Sequence, residues 1–123
     1  MENVEEIRQF LIDSLRSHVP PLVVKKDNPQ VFEVAGGIPA MQGKQKVDGF
    51  YFGSVVPKPK DSRLYFFPIY THPEEFEFIS PELRKCLKGK SCFHFKKLNE
   101  AMSTEIKQMI ARGIDVYQKN ELI

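Results

Sequence analysis

Apolar residues recur at Val4, Ile7, Phe10, Leu11 and Leu15, with Ser14 on the same stripe; this spacing of three and four predicts an amphipathic helix from Asn3 to Ser17. Asn3 stands where a helix cap is wanted, and Pro20-Pro21 ends the run. The pattern then changes. Leu22 to Lys26 and Val31 to Ala35 are β-branched runs around Asp27-Asn28-Pro29-Gln30, which predicts a hairpin. Gly36, Gly37 and Pro39 interrupt it, and the polar stretch through Lys46 reads as a break. Val47 to Val56 and Arg63 to Tyr70 are longer aromatic runs joined by Pro57-Lys58-Pro59-Lys60-Asp61-Ser62, and they read as the centre of a sheet. Strict alternation in the first puts Phe50, Phe52 and Val56 on one face and Tyr51, Gly53 and Val55 on the other, so neither face is wholly polar.

Further on, Ser80 is placed to cap a helix with Pro81 at its first position, and Gly89 to end it in the left-handed region. Ser91 to Phe95 alternates into a short strand. Asn99 opens a last helix whose Met102, Ile106, Met109, Ile110 and Gly113 form one stripe, with Gly113 ending or weakening it. No internal repeat is present. The elements predict one α+β domain over residues 1–123: a twisted, mainly antiparallel sheet of about five strands, with an N-terminal helix and two C-terminal helices packed on it.

Composition agrees with a globular chain, at 41% hydrophobic and 28% charged residues, and no apolar run reaches the ~18 residues of a membrane span. No membrane partner is expected. Glu2, Glu5 and Glu6 give the N-terminus the wrong charge for a signal peptide, so the expected compartment is the cytoplasm. Cys86 and Cys92 lack Cys-x-x-Cys spacing and indicate neither a disulfide framework nor a zinc knuckle. A net charge of only +2 argues against nucleic acid as a general partner. Its distribution is uneven, however. Pro73 to Glu82 carries four acids and no base, whereas Arg84 to Lys97 carries Arg84, Lys85, Lys88, Lys90, Lys96 and Lys97 with no acid, a split that the dipole of the intervening helix also favours.

The order of helix, Gly-Gly-Ile-Pro-Ala-Met loop, aromatic hairpin, Ser-Pro-Glu-Leu helix, Gly-Lys-Ser strand and final helix resembles the YdhG-like domains of unknown function. The resemblance is sharpest at Phe67-Pro68-Ile69-Tyr70, at Gly89-Lys90-Ser91-Cys92-Phe93 and in the closing helix. It implies a compact α+β domain, usually bacterial. One branch of that superfamily is proposed to be an iron chaperone working like frataxin. No catalytic motif comes with it.

Four constellations bear chemistry. Gly89-Lys90-Ser91 superficially suggests a phosphate loop, but Arg84 stands where that motif needs glycine, and a helix precedes the strand instead of following it. Cys92 and His94, two apart on one strand, share a face, and with His72 and Cys86 they suit zinc or ferrous iron, yet two same-face residues supply half a site. The same pair read as nucleophile and base lacks an orienting third group. Glu2, Glu5, Glu6 and Asp13, or Glu74, Glu75 and Glu77, offer carboxylates that suit weak iron binding, although exposed acids are also the ordinary solvated face of a helix. Most of the aromatic residues belong to a core, with the hydroxyls of Tyr51, Tyr65 and Tyr70 free to line a cleft. The expected ligand-pocket residues are therefore Tyr70, His72, Lys90, Cys92 and His94. The leading expectation is a non-enzymatic binding domain needing no cofactor, its partner a protein or a small ligand. An iron metallochaperone is the alternative, and an enzyme using the Cys92/His94 face the third.

Overall fold

The computed structural model describes residues 1–123. Helix α1 (Val4–Arg16) starts where Asn3 Oδ1 accepts from the backbone N–H groups of Glu5 and Glu6 at 2.8 and 3.2 Å, and it buries Ile7, Leu11, Ile12 and Leu15. Strands β1 (Val23–Asn28) and β2 (Val31–Ala35) form the expected hairpin, its first strand starting one residue later and running two residues further than expected. Asn28 Oδ1 closes the turn by accepting from Gln30 and Val31 N–H. Strands β5 (Tyr51–Pro57), β6 (Ser62–Phe66) and β7 (Cys92–Phe95) complete an antiparallel sheet of order β1-β2-β5-β6-β7. Helix α4 (Glu100–Lys119) is capped by Asn99 and lies with α1 on one face of that sheet. The α+β architecture expected from the hydrophobic pattern is the one observed, with 25 buried apolar residues in one continuous core.

Several boundaries differ from the expectation. The polar stretch before Lys46 is a separate small hairpin, β3 (Ala40–Gln42) and β4 (Gln45–Val47), turning at Gly43 with φ +65°; Val47 belongs to it and not to the central strand. Arg63 to Tyr70 is not one strand. Pro68, with no N–H to give a ladder, starts the helical turn α2 (Pro68–Thr71) instead. A 3₁₀ turn at Pro73–Phe76 and helix α3 (Pro81–Lys85) follow. Ser80 caps α3 as expected, its Oγ accepting from Leu83 N–H at 3.2 Å, and Glu105 of α4 grips the same serine by accepting from its N–H and its hydroxyl at 2.5 and 2.6 Å. Helix α3 nevertheless stops before Gly89. Lys88 N–H donates to the Cys92 carbonyl and Leu87 pairs with Phe93, so Gly89, at φ +105°, turns a hairpin and does not cap a helix.

Two close approaches set how α4 meets the sheet. The register of β2 against β5 slips between Val34/Gly53 and Ala35/Tyr51, leaving Phe52 as an extra residue on β5. This bulge overturns the strict alternation: Phe50, Phe52 and Val55 are all in the core, while Tyr51 is half-buried and half-buried Val56 falls on the opposite face from Val55. Gly113 does not end α4. It lies where a Cβ would meet the Phe66 ring at 2.8 Å and the Phe52 ring at 3.1 Å, and the helix continues through buried Ile114, Val116 and Tyr117. Tyr117 then donates its hydroxyl to the Tyr51 carbonyl at 2.6 Å, beside the bulge.

Candidate functional site: the uncovered face of the sheet

With both long helices on one side, the other side of the sheet carries the alternate residues. Register runs Glu33, Ser54, Tyr65 and Cys92 in one row across four strands, and Val56, Arg63 and His94 in the next. Tyr51 joins the first row through its hydroxyl, 2.6 Å from Ser54 Oγ, and Ser54 in turn donates to Glu33 Oε1 at 3.4 Å. Burial pushes the Tyr51 phenol up to about 12; the Ser54 hydrogen bond opposes this and the Glu33 charge adds to it. In the second row Arg63 Nε donates to Asp61 Oδ1 at 2.9 Å.

At the end of the sheet where β6 passes into α2, the rings form a track. Tyr51 meets Phe67 with centroids 5.4 Å apart, Phe67 meets Tyr70 at 5.6 Å, and Lys90 Nζ lies 5.4 Å from the centre of the Tyr70 ring. Tyr70 keeps 48% of its surface exposed, a large apolar group that no element of the chain covers. A cation over a ring gains from the ring quadrupole, and a half-exposed phenol offers a flat face to a planar ligand.

The five expected pocket residues divide. Tyr70 and Lys90 touch, and Cys92 and His94 share the uncovered face as the two-residue spacing requires. His72 goes elsewhere: its Nδ1 is 2.8 Å from the Thr71 hydroxyl and its ring faces Tyr117, 6.5 Å away. Cys86 is turned to α3, its Sγ directed at the Glu82 carbonyl at 3.6 Å. None of the five lines any of the principal cavities. The best defined of these, about 380 Å³, is a groove of Phe10, Asp13, Ser14, Ser17, His18 and Lys107 between α1 and α4. Burial lowers the His18 imidazole there, against the attraction of Asp115.

Burial raises the Cys92 thiol, with Tyr65 and Arg63 opposing, so the group is held away from the thiolate that a nucleophile requires. No three His, Cys, Asp or Glu side chains stand together in a way that would hold a metal ion. On α1, Glu5 is already paired with Arg8 at 3.0 Å and Glu6 is exposed, as is Glu2 ahead of the cap. Every buried side-chain polar atom has a partner within the chain. No helix is long and apolar enough to cross a membrane. Comparison with protein-family models, curated proteins and solved structures returned no match.

Sequence reasoning reached Tyr51, Tyr65 and Tyr70 as hydroxyl carriers but missed Glu33, Ser54 and Phe67. The parity of β6 carried part of the signal, since Arg63, Tyr65 and Phe67 alternate with buried Leu64 and Phe66. The bulge at Phe52 hid the rest, because it moves Tyr51 and Ser54, three apart, onto one face.

Proposed function

We propose that this chain is a non-enzymatic binding domain of the YdhG-like kind, acting in the cytoplasm, whose binding surface is the uncovered face of the five-stranded sheet. The observation that supports the reading is the track of Tyr51, Phe67 and Tyr70 ending under Lys90, at the end of a face that neither long helix covers. Antiparallel sheets commonly leave one face to water, and such a face is then mostly polar. Here half-buried rings stand among the polar Glu33, Ser54, Arg63 and His94, which suits a partner that excludes water from the rings.

Isothermal calorimetry on the purified chain tests the reading against its rivals. The ligands are ferrous iron under anaerobic conditions, a single-stranded oligonucleotide and polyglutamate. Each is titrated into the parent, a face variant (Tyr65→Ser with Lys90→Gln) and a helix variant (Glu2→Gln, Glu5→Gln, Glu6→Gln). Binding lost only in the face variant is the expected result. Iron binding lost only in the helix variant would replace the proposal with the metallochaperone alternative.

A further inference from the structure

The uncovered face has cations at both ends of its aromatic surface. Lys90 lies over Tyr70 at the end where Phe66 N–H donates to the Ser91 carbonyl. Lys58 lies at the other, directly past the Pro57–Ser62 pairing. The strand between those ends, Ser62 to Phe66, is roughly 14 Å long at ~3.4 Å per residue. No carboxylate pairs with either lysine. The two acids of the face are both engaged, Asp61 by Arg63 and Glu33 by Ser54. Lys58, Arg63 and Lys90 against Asp61 and Glu33 leave the face at a local balance of +1, since the neutral Ser54 hydroxyl does not cancel the Glu33 charge. Part of the acid-free run from Arg84 to Lys97 thus borders the exposed Tyr70 ring and the half-buried rings next to it.

We infer that this face takes single-stranded nucleic acid, an inference that rests on the sheet-face reading above and names its partner class. The ligand must be extended, anionic along its backbone and planar in its side groups. Unpaired bases stack on aromatic side chains while lysines hold the flanking phosphates, and the sequence preference is weak because every base has a flat face. An acidic polypeptide meets the lysines equally well but leaves Tyr65 and Tyr70 without a stacking partner. A duplex keeps its bases stacked inside and offers the rings nothing.

Fluorescence anisotropy with a labelled single-stranded pyrimidine oligonucleotide tests this, against the same sequence as a duplex and against polyglutamate as competitor. Circular dichroism and thermal melts serve as fold checks on each variant. The single strand is expected to bind, and the logarithm of its affinity to fall with log salt at a slope of about −1.5 to −2, as for two or three neutralised phosphates. Tyr65→Ala and Tyr70→Ala should each weaken it about tenfold, and Lys90→Gln should flatten the salt slope by about 0.7. Absence of single-strand binding at low salt would overturn the inference, as would a duplex binding as well or better. Polyglutamate displacing the oligonucleotide and losing affinity in Lys90→Gln would overturn the nucleic-acid class while keeping the face. Oligonucleotide binding indifferent to all three substitutions would overturn the face as well.

Discussion

At the scale of single residues, two positions show how local geometry decides what the hydrophobic pattern leaves open. Gly113 reads as a helix breaker, yet it is the point of closest approach between α4 and the Phe52 and Phe66 rings. Alanine there would gain ~1 kcal/mol in helix propensity and lose more by overpacking, typically ~1–3 kcal/mol. Gly113→Ala is therefore expected to lower the midpoint of urea unfolding, and a raised midpoint would mean that α4 sits further from the sheet. Tyr51 lies beside the bulge and its phenol is raised to about 12 by burial. Because the folded value exceeds the unfolded one near 10, the unfolded chain loses this proton first. The contribution of Tyr51 to stability is then complete below pH ~10 and is lost as pH rises through the folded value. Ultraviolet titration of tyrosinate in the parent and in Tyr51→Phe isolates the group. The component missing from the variant should titrate above the range of a free phenol; one at the ordinary value would place Tyr51 in solvent.

At the scale of elements, periodicity and caps made most of the fold legible. Asn3, Ser80 and Asn99 cap the helices they were expected to cap, since the acceptor needs only a short polar side chain at the right place. What escaped were features fixed by partners distant in sequence. The β3–β4 hairpin has no apolar alternation because it buries little, and only Gly43 hints at its turn. Helix α3 ends four residues before Gly89 because Cys86 and Lys88 are taken into pairing with β7. Gly89 still holds a positive φ with open space around its α-carbon, so Gly89→Ala should cost ~1 kcal/mol from backbone strain alone. An unchanged denaturation midpoint would contradict that turn. The clasp of Glu105 on Ser80 joins α3 to α4 through two charge-assisted hydrogen bonds. Glu105→Ala is expected to destabilise by ~1–3 kcal/mol and to speed amide exchange across α3. Exchange unchanged there would show that the cap works without α4.

At the scale of the whole molecule, the two long helices sit on one side of the sheet and leave the other open, which converts a list of candidate residues into a surface. Individually, Cys92, His94, Tyr70 and Lys90 were legible from the alternation of one strand and the aromatic content of another. Their relation to Tyr51, Ser54 and Glu33 was not, because it depends on register across four strands and on one inserted residue. His72 was misplaced for the same reason: the break at Pro68 turns it toward Tyr117 and away from the face. The central claim, that the uncovered face is where a partner sits, is tested most directly by mapping amide chemical shifts during titration with the single-stranded oligonucleotide. Shift changes are expected to gather on the amides of Arg63, Tyr65, Tyr70, Lys90 and Cys92, with α1 and α4 unmoved. Changes gathered instead on α1, or along the Phe10–Lys107 groove, with the sheet face unmoved, would contradict it.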